Sequence, residues 1–332
     1  MDRTWLSRTV EDALEPELEI VDPHHHLWSE PIGDRYPRYD LADLRDDTGA
    51  GHDVVATVFI DCSSNYYPDG PEHLRPVGET AWTATRADES DRTPGARIAA
   101  IVSYADLTLG DGVEEVLRAH VAAGGGRFRG IRHIGAWDAD ERVARSSRNP
   151  PPGLYALPSF RTGMGVLGGL GMTFEAWQYH PQLPEVVDLA RACPDVTIIV
   201  NHIGAPLGIG PYAGRRDEVM AAWWPPMEQL AALPNTVLKV GGIGMTRYGM
   251  GFERNENPPT SDELLAAWGD TLTWCIDQWG PDRCMFESNF PVDADSVGYT
   301  VLWNAFKKVS VGYSPTERAA LFAGTARRIY RI

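Results

Sequence analysis

The chain is poor in sulfur. It has four cysteines in 332 residues, Cys62, Cys193, Cys275 and Cys284, and no two form a C-x-x-C pair. That spacing excludes a thiolate metal knuckle and a disulfide framework, and it matches reduced, cytoplasmic usage. The chain is also short of cations, with 30 Lys and Arg against 46 Asp and Glu and a net charge of −16. So acidic a surface makes poor contact with phosphate backbones, and nucleic acid is not an expected partner. No apolar run approaches the ~20 residues of a membrane span. The opening Met1-Asp2-Arg3-Thr4-Trp5 leads into acidic sequence and not into an apolar signal core. No membrane association is expected. Assembly with further copies of the same chain is left open.

What is present is a repeated alternation. Short apolar runs rich in Val and Ile occur at Leu18–His24, Asp53–Asp61, Arg97–Tyr104, Phe128–Ile134, Gly171–Trp177, Val196–His202, Thr236–Gly241 and Arg283–Asn289. Such runs suit parallel strands buried on both faces. Helical patterns fall between them, among them Gly112–Ala123, Leu183–Cys193, Trp223–Leu233, Ser261–Trp279 and Ser296–Lys308. Eight strands alternating with helices over this length predict a (β/α)8 TIM barrel as a single domain. A doubly wound open sheet is the rival, but no glycine-rich phosphate fingerprint follows the first strand. Residues 1–17 read as an N-terminal arm and 18–332 as the barrel. Four loops rich in Pro, Gly or charge follow strands 2, 4, 6 and 7, at Tyr66–Pro76, Asp138–Pro158, Gly204–Arg216 and Thr246–Pro259. On a barrel they leave the C-terminal face, where substrate loops lie.

The residues with chemistry cluster just after these strands. His24 and His26 end strand 1 with i, i+2 spacing, which puts both imidazoles on one face and makes half of a metal site. The bland alternative is a hydrogen-bonded pair at the barrel rim. His25 has the opposite parity and belongs against the helices. Arg132 alternates with Ile131, so it points inward, where it can clamp a substrate carboxylate or pair with a barrel acid. Glu175 points into the barrel mouth. Catalysis and a buried ion pair with Lys239 weigh equally for it, and the ion pair outweighs catalysis for Glu287. Asp61 ends strand 2, as a catalytic carboxylate or a loop-starting polar residue. Trp28, Trp177 and Tyr179 follow strand ends and suit an apolar pocket wall. Gln178 completes the substrate-binding candidates.

The run Asp22-Pro23-His24-His25-His26-Leu27-Trp28 resembles the opening of amidohydrolase-related TIM-barrel hydrolases. Further matches follow in order: Gly130-Ile131-Arg132-His133, Pro181-Gln182-Leu183-Pro184, Asn201-His202-Ile203-Gly204 and Val237-Leu238-Lys239-Val240-Gly241-Gly242. The likeness covers residues 18–330. It implies a single divalent metal, zinc or manganese, on His24, His26 and His202, although a metal-free site is the alternative. His202 is then a third ligand or a proton donor to a substrate oxygen. The departure is at strand 8, where Asn289 stands in place of the family aspartate. An amide cannot serve as a general base at neutral pH. The resemblance implies hydrolysis of a small cyclic ester, a lactone, with Asp61 or Glu175 supplying the missing base. Two alternatives stand beside it. One is a non-hydrolytic lyase, a decarboxylase of an aromatic or enoic acid. The other is a catalytically silent barrel that only binds its ligand.

Overall fold

Eight parallel strands form one sheet in strict sequence order. The computed structural model describes residues 1–33, 36–143 and 148–332. The strands are β1 (Ile20–His25), β2 (Val54–Ile60), β3 (Arg97–Ser103), β4 (Phe128–Arg132), β5 (Thr173–Ala176), β6 (Ile198–Val200), β7 (Thr236–Gly241) and β8 (Cys284–Glu287). They alternate with α1 (Arg3–Leu6), α2 (Leu41–Thr48), α3 (Val77–Arg92), α4 (Val113–Ala123), α5 (Pro158–Gly169), α6 (Leu183–Ala192), α7 (Arg216–Ala231), α8 (Ser261–Trp279), α9 (Tyr299–Val309), α10 (Pro315–Ala319) and α11 (Thr325–Tyr330). This is the expected (β/α)8 barrel. Strand limits differ from the expected runs by a few residues at several ends, because the polar residues there leave the ladder for the mouth loops. Helix α7 begins earlier than the expected Trp223, at Arg216. Its Pro225 and Pro226 suit a first turn, yet Asp217 and Glu218 occupy the first turn and favour the dipole there.

The barrel closes between its first and last strands through a few specific bonds. The His26 N–H donates to the Phe290 carbonyl at 2.8 Å. Asp22 accepts from the Ser288 N–H and from the Tyr299 hydroxyl, both at 3.0 Å. Burial raises the Asp22 carboxyl to about 6, although these hydrogen bonds oppose the shift.

Two layers of core result. Val21, Val58, Val102, Ile199, Val237 and Met285 fill the barrel interior and meet Ala323, Ala326 and Tyr330 of the C-terminal segment. A larger cluster packs strands on helices, with Ile131, Phe174, Ile198, Val200 and Phe286 on the outer faces. The arm runs over α8 and α9. Glu11 accepts from the Ser261 N–H at 2.7 Å. The buried Lys307 ammonium donates to the carbonyls of Leu14 and Glu15 at 2.7 and 2.8 Å. Among the described residues no helix is long and apolar enough to cross a membrane.

Candidate active site

The i, i+2 pair at the end of β1 enters the mouth side by side. His24 Nε2 and His26 Nε2 lie 3.3 Å apart. His26 Nδ1 is 2.8 Å from the Ile60 carbonyl, so it carries the proton and leaves Nε2 with a lone pair. His25 turns the other way, edge-on to Phe59.

His202 arrives by a different route. Its strand neighbours Ile198 and Val200 face the helices, and strand parity alone would send it there too. The chain instead turns left-handed at His202 (φ 53°) and Ile203 (φ 48°), which throws the imidazole inward. Gly242 makes room for it, since a Cβ there would stand 2.6 Å from His202 Nδ1. Asn289, at φ 54°, is left-handed as well.

Glu287 joins these groups. One carboxylate oxygen accepts from the His202 backbone N–H at 3.1 Å and lies 2.7 Å from His202 Nδ1. The other lies 2.7 Å from His24 Nδ1. The Nδ1–H of His202 is therefore held by a carboxylate, and its Nε2 is buried with no hydrogen-bond partner. His24, His202 and Glu287 offer ligand atoms within 4.8 Å of one another. Burial raises Glu287 to about 8. Burial lowers His26 to about 3, with the Arg132 charge adding to it, and drives His24 and His202 well below the usual imidazole range. The three imidazoles are neutral at physiological pH.

Two cations flank this cluster. Arg132 Nη1 is 3.3 Å from His24 Nε2, its Nη2 donates to the Asp61 carbonyl, and its Nε has no partner. Lys239 Nζ lies 3.3 Å from His24 Nδ1 and pairs with Glu175 at 2.8 Å. Glu175 also accepts from the Asn201 amide and the Tyr330 hydroxyl. All its oxygens face protein partners, as a buried ion pair requires.

Asp61 is tied to Arg148, 2.5 Å away. Burial would raise its carboxyl, but Arg148 and Arg132 outweigh burial and hold it below the usual range. Behind it the Glu79 carboxyl is pushed well up, by burial first and by Asp61 second. The Asn289 amide donates to Asp293 at 2.7 Å.

A cavity of about 180 Å³ opens over the cluster, lined in part by His26, Trp28, Arg132, Trp177, Arg247 and Asn289. It gathers Trp28, Arg132, Trp177 and Asn289 of the expected site around one space. His24 and His202 stand against it through His26 and Trp177. Asp61 and Glu175 do not line it, and neither does Gln178, whose buried amide has no hydrogen-bond partner. Sequence reasoning missed Glu287 as part of the site, assigning it to the lysine pair. Its i, i+2 spacing from Asn289 was the available signal. Arg247 and Asp293 lie in loops, and no pattern in the sequence marks them.

Imidazoles, a carboxyl and two fixed cations gather at the C-terminal mouth of a parallel barrel, the face on which the class of barrel enzymes builds its active sites. The chain belongs to the amidohydrolase family, whose family model matches residues 21–332. It is 32% identical to the uncharacterized protein y4mH of Sinorhizobium fredii, over 95% of this chain and 99% of the relative. It is 26% identical to an L-fucono-1,5-lactonase of Burkholderia multivorans, over 94% of this chain and 96% of the relative. Its fold matches a zinc-bound amidohydrolase crystal structure from the same organism with a TM-score of 0.73 at 23% identity, covering 94% of this chain and 99% of that one.

Proposed function

We propose that this protein is a hydrolase of small lactones of sugar-acid size. The observation that carries the reading is His202, a neutral imidazole with Nδ1–H held by Glu287 and a free, buried Nε2 beside the cavity. Likeness to a lactonase over nearly the whole chain supports it. In the proposed reaction water attacks the ring carbonyl carbon and His202 Nε2 takes its proton. Glu287 stabilises the imidazolium so formed. The Arg132 guanidinium, which lines the cavity, stabilises the developing oxyanion by its charge. Collapse breaks the acyl carbon–oxygen bond, and the imidazolium returns its proton to the ring alkoxide. The products are one carboxylic acid and one hydroxyl. Asp61 keeps Arg132 in place, and Glu175 keeps Lys239 beside His24.

The donor set also suits a single divalent ion. His24 Nε2 and His26 Nε2 are neutral imidazole donors that would hold it, with the His26 Nδ1–H fixed by the Ile60 carbonyl, and His202 Nε2 stays free to take the proton. When bound, zinc or manganese would polarise the carbonyl or lower the pKa of water. The Arg132 guanidinium close to His24 Nε2 opposes a second positive charge, so we expect one weakly held ion that a mild chelator removes.

The test is a panel of five- and six-membered aldonolactones, followed by proton release with an indicator dye. At least one should be turned over with kcat/KM above ~10⁴ M⁻¹s⁻¹. No hydrolysis across the panel overturns the proposal. One observation favours the lyase reading: among the described residues no carboxylate lines the cavity. Release of carbon dioxide from a hydroxybenzoate, with lactones untouched, would select it.

A further inference from the structure

The chain as a whole carries 16 more negative than positive charges. Its site cavity has the opposite character. Among the described residues that line it there are two guanidinium groups, Arg132 and Arg247, and no Asp or Glu. The two arginines are not alike. Arg132 is committed to the protein, with Nη1 toward His24, Nη2 on the Asp61 carbonyl and the Asp61 carboxylate 3.9 Å from its Nε. Among the described residues Arg247 has no carboxylate partner. Its guanidinium lies over the rings of Trp177 and Tyr179, 5.3 and 5.7 Å from their centroids, and Nη1 donates to the Tyr179 hydroxyl at 2.8 Å.

Its loop is also held firmly. The Arg247 carbonyl accepts from the Gly208 N–H at 2.9 Å. The next residue, Tyr248, is 2% exposed and donates its hydroxyl to the His202 carbonyl at 2.9 Å. Gly208 and Gly249 pack backbone to backbone so closely that a Cβ on either would overlap the other segment. Arg247 is thus fixed relative to the turn that delivers His202. A positive group held in place at the cavity wall costs little further ordering to bind an anion.

We propose that Arg247 is the specificity-determining residue of the site, and that it binds a carboxylate on the substrate. The preferred substrate is then an acidic lactone, a cyclic ester carrying a second, free carboxylate, and not a neutral aldonolactone. The proposal rests on the lactonase reading for its reaction but not for its binding step. Arg–carboxylate pairs are planar and two-pronged, so lysine is a poor replacement.

Hydrolysis of glucaro-1,4-lactone and of neutral glucono-1,4-lactone is measured at pH 7 with the native enzyme and with Arg247→Met and Arg247→Lys. The methionine keeps an apolar stem against Trp177. The native enzyme should favour the acidic lactone by about 10–100-fold in kcat/KM, the range of a charged hydrogen bond. Arg247→Met should lose that preference, with the larger loss on the acidic lactone and chiefly in KM, and Arg247→Lys should keep only part of it. Equal or reversed preference in the native enzyme overturns the proposal, and so does an equal loss on both lactones in Arg247→Met. Calorimetry with glucarate and gluconate separates the two readings. If neither lactone is hydrolysed, tighter glucarate binding that Arg247→Met abolishes supports the clamp. Equal binding of the two acids, or no binding of either, overturns it.

Discussion

Glu175 and Glu287 are chemically the same side chain, and both are fully buried inside one barrel. Their neighbours differ. Glu175 meets a lysine ammonium, an amide and a phenol, so every oxygen has a donor. Glu287 meets two imidazoles that burial itself keeps neutral, and its carboxyl is raised to about 8. Burial alone therefore does not fix the behaviour of a carboxyl. Bonded to an ammonium the carboxyl acts as a strut, and set between imidazoles it can respond when a proton moves. Lys239 stands between the two, bonded to Glu175 and within 3.3 Å of His24.

The largest effect should come from breaking the responsive member. Glu287→Gln keeps the shape but removes the carboxyl that, once ionised, stabilises a His202 imidazolium. Lactone turnover should fall by about 10²–10⁴-fold, with the thermal midpoint nearly unchanged. Full activity in this variant would remove the His202–Glu287 pair from the mechanism.

Breaking the strut should act on stability instead. Glu175→Gln leaves the Lys239 ammonium buried without a charge partner, a defect that costs about 3–5 kcal/mol. Urea unfolding followed by tryptophan fluorescence measures it. A loss under about 1 kcal/mol would show that the pair contributes nothing beyond a neutral hydrogen bond.

Adding a third carboxyl sharpens the contrast further. Asn289→Asp would face Asp293, whose carboxyl burial already pushes well up. The two acids would share one proton, so no free base appears, and kcat/KM should drop by up to about 10-fold. A rise in lactone hydrolysis would instead mean that a strand 8 carboxylate can serve as the base in place of His202.

The smallest effect extends the comparison to lysines. Lys307 has carbonyls for partners where Lys239 has a carboxylate. It sits 2.9 Å from His52 Nδ1, with Glu15, Glu17, Asp53 and Arg318 acting on it, and burial lowers it to about 8. The folded pKa lies below the unfolded one, so the unfolded chain binds more protons between about 8 and 10.5. The penalty is present in full below pH 8 and is relieved as the pH rises through that window. The stability of the native protein relative to Lys307→Met should therefore increase from pH 7.5 to 9.5 in parallel thermal melts. A flat difference would contradict the shift.

These contrasts also mark what could be read without a structure. The barrel was legible because both faces of each strand are buried, which writes Val- and Ile-rich runs into the chain. His24 and His26 were legible because i, i+2 spacing keeps them on one face, although a register shift between Asp22 and His25 aims that face inward, and Arg132 because it alternates with Ile131. His202 was found through its motif and against its parity, since a left-handed turn re-aims it and such a turn has no period. Glu287 was seen as a buried acid but given the wrong partner, because parity says which side of a strand faces inward and not which neighbour is nearest. Asp61 shows the same limit from the other side. Its lowered carboxyl depends on Arg148, which reaches it from a loop far along the chain. Arg247 and Asp293 depend on loop conformation, which carries no repeating pattern.

The seam between the first and last strands has a consequence for the order of events in folding. His26 is fixed by the Phe290 carbonyl, and Asp22 by Ser288 and Tyr299, so the two ends of the barrel must find each other across more than 260 residues of chain. Contacts so distant in sequence are slow to form, because the loop entropy is spent before any contact rewards it. Neighbouring pairs from β1–β2 to β7–β8 can form first, leaving His24 and His26 without Glu287 and the Phe290 carbonyl. In a refolding experiment, backbone circular dichroism should return before substrate turnover, and the lag between them would time the joining of that seam.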